Sequence, residues 1–164
     1  MESFFIRKAS IRDHDDIWYI IQSVIKSGET YVFDPESDRE KMLEYWCAPD
    51  ASVYVATDQA GTIAGTYVIR DNRPDLGSHV ANGSYMVSPI FEGKGIGRLM
   101  GKHSIEEAKN MGYQAMQFNY VVSTNERAVK LWESLGFKIV GEVPEAFNHH
   151  RLGLVPVYIM YRKL

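Results

Sequence analysis

The second half of the chain alternates strand and helix patterns without interruption, and this alternation constrains the fold more than any other feature. "SHVANGSYMVSP" is typical of a strand closed by Pro89, and apolar residues from Ile96 to Met111 then recur at helical spacing up to Gly112. "YQAMQFNYVV" predicts the next strand, and "NERAVKLWESLG" predicts a helix with Gly136 as its C-cap. A strand–helix–strand connection brings its two strands together in parallel, so this half predicts a parallel pair in the sheet.

The first half of the chain supplies one strand, two helices and a hairpin. "FFIRKA" indicates a strand, and apolar residues from Asp13 to Lys26 fall at helical spacing before Gly28. "SDREKMLEYW" begins with Ser37 and has Glu40 three residues later, a capping-box pattern that predicts a second helix. "SVYVAT" and "TIAGTYVIR" flank the turn "DQAG" and predict a hairpin, and "FKIVGEV" and "VPVYIMYRK" predict the last two strands. The order β-α-α-β-β-β-α-β-α-β-β predicts a mixed α/β sheet with helices on its faces.

Composition narrows the class of protein. The chain has 164 residues, enough for one domain over residues 1–164, and its net charge of −3 excludes a general attraction to nucleic acid or anionic lipid. No apolar run approaches the ~20 residues that span a bilayer, and the first residues turn acidic before a signal-peptide core, so we expect a cytoplasmic protein. Cys47 is the only cysteine, which excludes an internal disulfide framework, and we interpret it as a buried structural thiol near a helix end.

The loop "VSPIFEGKGIGRLM" lies between a predicted strand and a predicted helix and carries three glycines. Unpaired N–H groups and the positive dipole end of a helix bind phosphate, and the glycines let the backbone approach an anion closely. The glycine spacing matches neither the dinucleotide fingerprint nor the P-loop. Glu92 has the wrong sign for an anion site, yet phosphates at such loops are held mainly by N–H groups. The loop therefore predicts a local phosphate or pyrophosphate site.

The same loop fits the pattern Q/R-x-x-G-x-G/A, and the segment from about Tyr85 to Phe137 resembles the Gcn5-related N-acetyltransferases (GNAT). "GKGIGRLM" is similar to the core of the motif that holds the pyrophosphate of coenzyme A in that family. "N-x-x-A-x-x-L-W-x-x-L-G-F" from Asn125 is similar to the family's second motif, with Trp132 where the family has tyrosine. The resemblance implies the GNAT fold: a mixed, mostly antiparallel sheet of about seven strands, splayed between strands 4 and 5, with helices on both faces.

The resemblance also implies acetyl-CoA as the cofactor and assigns residues to it. The main chain of the fourth strand would hold the pantetheine arm, with an N–H near Val87 facing the thioester oxygen. Glu92 stands where the family prefers glutamine or arginine, and Lys94, Arg98 and Lys102 can offset its charge. The residues implied to bind the cofactor are Tyr85, Met86, Val87, Gly93, Lys94, Gly95, Ile96, Gly97, Arg98, Asn125, Ala128 and Trp132.

Trp132 leaves the acid of the reaction unassigned. Many family members carry a tyrosine at this place, which protonates the leaving thiolate, whereas an indole N–H is a donor but not a usable acid. Either the thiolate of coenzyme A leaves without that acid or another group acts. Tyr120 and Tyr85 are the candidates for that group.

Three asparagines indicate the acceptor. The spacing of Asn82, Asn119 and Asn125, with "KLWESLGFK", resembles the fungal L-azetidine-2-carboxylate (proline-analogue) N-acetyltransferases. That resemblance implies that Asn82 and Asn119 contact a small amine, that Asn125 orients coenzyme A, and that the amine attacks the thioester directly. "SGETYVFDPES" resembles the acceptor-side loop there and in phosphinothricin acetyltransferases, and the resemblance implies that it supplies Glu29, Thr30, Tyr31 and Phe33 to the mouth of the pocket. The residues assigned to catalysis are Asn119, Asn82 and Tyr120.

Alternatives remain open at this point. The acceptor could be a protein N-terminus or lysine, or the chain could be a non-catalytic acyl-CoA-binding module. His149 and His150 are interpreted as solvated loop residues, since no third ligand stands at metal spacing, and no metal is expected. Exposed apolar residues are expected on the last strand, "VPVYIMY", which makes a homodimer through sheet edges an expectation as well.

Overall fold

The computed structural model describes residues 2–164, which form one sheet with helices on both faces. The strands are β1 Phe5–Lys8, β2 Ser52–Thr57, β3 Ile63–Asp71, β4 Val80–Val87, β5 Ala115–Val122, β6 Lys138–His149 and β7 Gly153–Lys163. The helices are α1 His14–Ile25, α2 Arg39–Trp46, α3 Ile96–Asn110 and α4 Glu126–Ser134. The predicted order of strands and helices is confirmed along the whole described chain.

The sheet has the strand order β1-β2-β3-β4-β5-β7-β6, and only the β4–β5 pair is parallel. That pair is joined at two positions alone, Val80 opposite Ala115 and Ala81 opposite Met116. Beyond these positions the two strands diverge, because β4 continues to pair with β3 while β5 continues to pair with β7. The predicted splay between strands 4 and 5 is therefore confirmed, and it opens a gap in the middle of the sheet.

Two apolar clusters place the helices on opposite faces of the sheet. Val55 packs in the cluster that contains α1 and α2, whereas its neighbour Ala56 packs in the cluster that contains α3 and α4. Successive residues of a strand point to opposite faces, so the two clusters lie on opposite sides. None of the helices within residues 2–164 has the length and apolar character needed to cross a membrane. Cys47 lies partly buried at the end of α2, where desolvation raises the pKa of its thiol.

The N-terminal cap of α2 differs from the sequence prediction. Asp38, and not Ser37, is the N-cap, and its Oδ1 accepts the main-chain N–H of Lys41 at 2.8 Å. The helix begins one residue later than the Ser37–Glu40 pattern requires, so the carboxylate of Asp38 stands at the capping distance. The prediction of a capping box at Ser37 was wrong, although the helix itself was predicted correctly.

The last two strands differ from their predictions in extent and in exposure. β6 continues through the segment predicted as a polar loop, and His149 is buried, with Nδ1 accepting the main-chain N–H groups of Arg151 and Leu152 at 3.1 and 3.2 Å. His149 is therefore not a solvated loop residue, while His150 is exposed in the turn. β7 lies between β5 and β6, and its apolar side chains Val155, Val157 and Met160 are buried in clusters on the faces of the sheet, so the expectation of an exposed last strand was wrong.

An ion pair between the half-exposed Arg7 and the buried Asp13 ties β1 to the start of α1. Arg7 donates from its two terminal nitrogens to the two carboxylate oxygens of Asp13, each at 2.8 Å, and the main-chain N–H of Ser10 donates to Oδ2 at 2.7 Å. Asp13 is buried, with 6% of its surface exposed. The hydrogen bond from Arg7 is the main cause that lowers the pKa of Asp13 to about 2, from a usual value of 3.8.

This ion pair is expected to make the free energy of unfolding depend on pH in the acidic range. Because the folded-state pKa lies below the unfolded one, the contribution is full above about pH 5 and is lost as the pH falls toward 2; it amounts to about 2 kcal/mol at neutral pH. Denaturant unfolding of Asp13→Asn should therefore show a deficit from wild type at pH 7 that shrinks at pH 2 to 3. Asp15→Asn is the control, since Asp15 is 90% exposed. An equal deficit for Asp13→Asn at both pH values would contradict the account.

Candidate active site

The glycine loop forms the start of α3 in a conformation that requires glycine. Gly93 and Gly95 have φ angles of 76° and 81°, and Gly95 is the N-cap of the helix. A residue with a Cβ atom rarely adopts this left-handed backbone conformation, whereas glycine adopts it freely. A Cβ placed at either position would meet no atom within 4 Å, so this side of the loop is open. The free N–H groups of the first helical turn thus border an open, positively polarised surface.

The charges around this loop are paired differently from the sequence expectation. Glu92 is exposed and lies 3.9 Å from the guanidinium of Arg127, at the start of α4. Lys94 pairs with Glu2 at 2.6 Å, and Arg98 donates to Ser134 Oγ at 2.9 Å. The carboxylate of Glu92 is therefore turned toward α4, and its charge is balanced by a residue that the sequence analysis did not name.

Helices α3 and α4 are in close contact at Gly101. A Cβ at Gly101 would lie 2.7 Å from Leu135 Cδ1 and 3.0 Å from the ring of Trp132, so a larger residue there would require both side chains to move. The Trp132 ring is buried, with centroid distances of 4.6 Å to both Tyr85 and Phe118. Trp132 thus forms a wall of the site and part of the α3–α4 core at once.

The gap between β4 and β5 holds a cleft of about 260 Å³. Residues from the α1–α2 loop, β4, β5 and α4 meet there, although they are far apart in the sequence. No acidic side chain and no histidine is among its lining residues within 2–164. The predicted site residues that line this cleft are Thr30, Tyr31, Phe33, Asn82, Tyr85, Asn119, Tyr120, Asn125, Ala128 and Trp132.

Some predicted residues lie outside the cleft. Glu29 forms an ion pair with Arg151 Nε at 2.8 Å, which ties the α1–α2 loop to the turn between β6 and β7. The side chain of Met86 is buried in the cluster beneath α1 and α2, and that of Val87 packs on the α3–α4 side. Gly97 and Ile96 belong to the first turn of α3, with Ile96 buried. The end of β4 therefore connects the cleft to the glycine loop along the chain.

The hydroxyl of Tyr31 lies inside the gap and not at its mouth. It donates to the main-chain oxygen of Tyr85 at 2.5 Å and accepts the main-chain N–H of Tyr85 at 3.0 Å. Hydrogen-bonding directions alternate along an antiparallel strand, so the main-chain groups of Tyr85 and Val87 face the gap while those of Met86 face β3. Desolvation raises the pKa of Tyr31, which keeps its hydroxyl protonated.

The two tyrosines considered as acids are both hydrogen-bonded elsewhere. The hydroxyl of Tyr85 lies 2.7 Å from Ser104 Oγ beneath α3, and burial raises the pKa of Tyr85. Tyr120 donates its hydroxyl proton to the main-chain oxygen of Ala146 in β6. Neither hydroxyl is free in this arrangement to protonate a leaving thiolate.

A chain of four side-chain amides includes two residues that line the cleft, Asn82 and Asn119. Asn119 and Asn82 donate from Nδ2 to Oδ1 of Asn72, at 2.7 and 3.2 Å, and Gln117 donates from Nε2 to Oδ1 of Asn119 at 3.0 Å. Asn82 and Asn119 were predicted as site residues from the sequence, whereas Asn72 and Gln117 were not. The one available signal was that a buried amide in a strand needs partners, which does not reveal which distant residue provides them.

Asn125 combines a structural contact with a place in the cleft. Its Oδ1 accepts the main-chain N–H of Ala128 at 3.3 Å, which makes it the N-cap of α4. The second family motif thus begins at the cleft wall. Within residues 2–164, no group of three or more His, Cys, Asp or Glu side chains is placed to hold a metal ion.

Comparison with known proteins shows the family. The model of the Acetyltransferase (GNAT) family matches residues 17–137. N-acetyltransferase aca1 of Schizosaccharomyces pombe is 30% identical over 158 residues, covering 86% of this chain and 75% of that protein. L-amino acid N-acyltransferase MnaT of Escherichia coli is 29% identical over 115 residues, covering 68% of this chain and 66% of that protein. The chain therefore belongs to the acetyltransferase (GNAT) family and is an acyltransferase enzyme.

Solved structures agree with this assignment. A GCN5-related N-acetyltransferase from Kribbella flavida has a TM-score of 0.94 and 40% identity, with 98% of both chains covered. The structure of yncA from Salmonella typhimurium with its cofactor acetyl-CoA has a TM-score of 0.86 and 24% identity, with 99% of this chain and 94% of that chain covered. The GNAT fold implied by the two motifs is thereby confirmed.

Proposed function

We propose that this enzyme transfers the acetyl group of acetyl-CoA to the amine of a small molecule, an amino acid or proline analogue. The observation that carries this proposal is the cleft in the β4–β5 gap, which brings Asn82 and Asn119 together with the aromatic residues Tyr31 and Phe33. A cleft of about 260 Å³ suits a small acceptor. The name of the relative MnaT, an L-amino acid N-acyltransferase, supports the same class of acceptor.

Acetyl-CoA would bind along the path that joins the glycine loop to the cleft. The N–H groups at Gly93 to Gly97 would hold the pyrophosphate, since this end of α3 is open and positively polarised. The pantetheine arm would follow the gap beside the main chain of Tyr85 and Val87. In the structure, the hydroxyl of Tyr31 is hydrogen-bonded to the main-chain oxygen and N–H of Tyr85. These two hydrogen bonds would break when the cofactor binds, and the pantetheine arm would then bond to the same main-chain groups.

The chemistry is a direct attack of the neutral amine on the thioester carbonyl. The carbon–nitrogen bond forms while the carbonyl oxygen gains negative charge, which the N–H of Val87 would stabilise. The carbon–sulfur bond then breaks, and coenzyme A leaves as a thiolate, which is stable enough near neutral pH to leave without the acid that Trp132 cannot supply. Water would remove the amine proton, since no carboxylate or histidine lines the cleft within residues 2–164. Asn82 and Asn119 orient the acceptor, and Tyr120 closes the far wall.

The test is thiol release from acetyl-CoA, measured with a panel of azetidine-2-carboxylate, proline and the common L-amino acids. Release that saturates with one or more of these amines supports the proposal. Peptides with free N-termini and lysine side chains form the comparison panel. Turnover with peptides alone would replace the small-molecule acceptor by a protein acceptor, and binding of acetyl-CoA without any turnover would contradict both.

We also propose that two copies associate through β6. This strand forms one edge of the described sheet, and its side chains Ile139, Val140 and Val143 are 41%, 60% and 41% exposed. An unpaired apolar edge can pair with its own copy across a two-fold axis. Light scattering should give a dimer for wild type and a monomer for Val140→Lys. A monomeric wild type at tens of micromolar concentration would refute this interface.

A further inference from the structure

Asn72 lies behind the cleft, at the point where the chain leaves β3. Its main-chain N–H donates to the oxygen of Val80 at 2.8 Å, which holds the residue beside the start of β4. Its side-chain oxygen Oδ1 accepts hydrogen bonds from Asn119 at 2.7 Å and from Asn82 at 3.2 Å. One oxygen atom therefore joins the two asparagines that form the proposed acceptor wall, and Asn72 itself does not line the cleft.

These contacts have a direction. A carboxamide oxygen only accepts hydrogen bonds, so both Asn82 and Asn119 must turn their NH2 groups toward Asn72. Gln117 supports the same orientation, since it donates to the oxygen of Asn119 at 3.0 Å. Relative to the oxygen of Asn72, the amides of Asn82 and Asn119 are thereby each held in one of their two possible orientations.

The orientation leaves the side-chain oxygen of Asn82 without a hydrogen-bond donor in the described part of the chain. The oxygen of Asn119 receives the hydrogen bond of Gln117, whereas no group within residues 2–164 donates to Oδ1 of Asn82. This atom belongs to a residue that lines the cleft. A neutral carbonyl oxygen accepts an amine N–H, and it does not raise the amine pKa as strongly as a carboxylate would. Such a partner binds the acceptor and still permits the loss of the proton that attack requires.

We infer that Asn72 is a positioning residue of the acceptor site: by accepting from Asn82 and Asn119, its side-chain oxygen turns Oδ1 of Asn82 toward the acceptor amine. The inference rests on the proposed transfer to a small amine. It adds that the oxygen of Asn72, and not its NH2 group, is the atom required.

The experiment compares Asn72→Asp with Asn72→Leu in the whole 164-residue chain. Aspartate keeps the accepting oxygens at nearly the same size, whereas leucine keeps the size and removes them. With the best amine of the panel, Asn72→Leu should raise the KM for the amine at least about tenfold, the loss expected when a buried donor is left unpaired. The KM for acetyl-CoA should stay unchanged, and Asn72→Asp should stay within about threefold of wild type for both.

Controls separate this role from a loss of folding. Asn110→Leu, at the exposed end of α3, reports the general effect of the same substitution. Thermal melting identifies an unfolded Asn72→Leu, in which case Asn72→Ala takes its place with the same expectation. Equal damage by aspartate and leucine would overturn the inference, as would an unchanged KM for the amine in Asn72→Leu. A wild type inactive with every amine would refute the proposed function and, with it, this inference.

Discussion

Replacement of Gly95 by valine is expected to weaken acetyl-CoA binding roughly 10- to 100-fold. The backbone at Gly95 has a φ of 81°, and a valine there would distort the turn that opens α3. Its side chain would also project into the open space beside the N–H groups of the helix start. A hydrogen bond to a charged group is worth about 1.5–3 kcal/mol, so the loss of one phosphate contact gives this range. Isothermal titration with acetyl-CoA measures the effect.

Gly61 offers a matched control for that substitution. It has a φ of 87°, meets no atom within 4 Å of a built Cβ, and lies in the turn between β2 and β3. Valine at either position should cost about 1–3 kcal/mol of stability through backbone strain. Only Gly95→Val should also lose affinity for acetyl-CoA. Equal affinities of the two variants would show that the glycine loop does not hold the cofactor.

Replacement of Trp132 by alanine is expected to remove about 3–5 kcal/mol of folding stability. The ring is 7% exposed and packs against Tyr85, Phe118 and Phe137, with centroid distances of 4.6, 4.6 and 5.7 Å. Removal of a buried tryptophan loses its apolar burial and leaves a cavity that its neighbours fill only partly. For a chain of this size the melting temperature should fall by about 6–20 °C. Calorimetry or circular dichroism during heating measures the shift.

Tyr19→Ala is the control for the loss of a large aromatic residue, since Tyr19 is 58% exposed on α1. That variant should change the melting temperature by no more than a few degrees, because surface substitutions usually alter stability by about 0.5 kcal/mol or less. Trp132→Tyr keeps most of the apolar contact and should lie between wild type and Trp132→Ala. If Trp132→Ala and Tyr19→Ala have the same melting temperature, the ring of Trp132 does not hold α3 against α4.

The fold was predictable from the sequence because its signals are local. The helical spacing between Ile96 and Met111, stopped by Gly112, needs no distant partner to be recognised, and the same holds for the hairpin at "DQAG". The parallel β4–β5 pair followed from connectivity alone. One error was local, because the adjacent Asp38 caps α2 in place of Ser37. The other depended on tertiary pairing, because β6 pairs on the outer side of β7 and makes it an inner strand.

The candidate site also has a part that was predictable from local sequence and a part that was not. The glycine loop and the helix-start residue Asn125 belong to short motifs, and a motif is visible in a sequence because its residues act within one turn or loop. The contact of Tyr31 with Tyr85 joins positions 54 residues apart, and that of Asn119 with Asn72 joins positions 47 apart. No periodicity reports such a pair, since side chains of this kind meet only after the sheet has closed.

The sequence by itself determined the order of strands and helices, the family, and the loop that begins α3, because each of these follows from residues close together in the chain. Only the tertiary structure decided which amides are hydrogen-bonded to one another, which tyrosine hydroxyls are hydrogen-bonded, and which strand forms the edge of the sheet. Hydrogen bonds and burial depend on distances in space, and a chain of this length brings together residues whose separation in sequence carries no information about those distances.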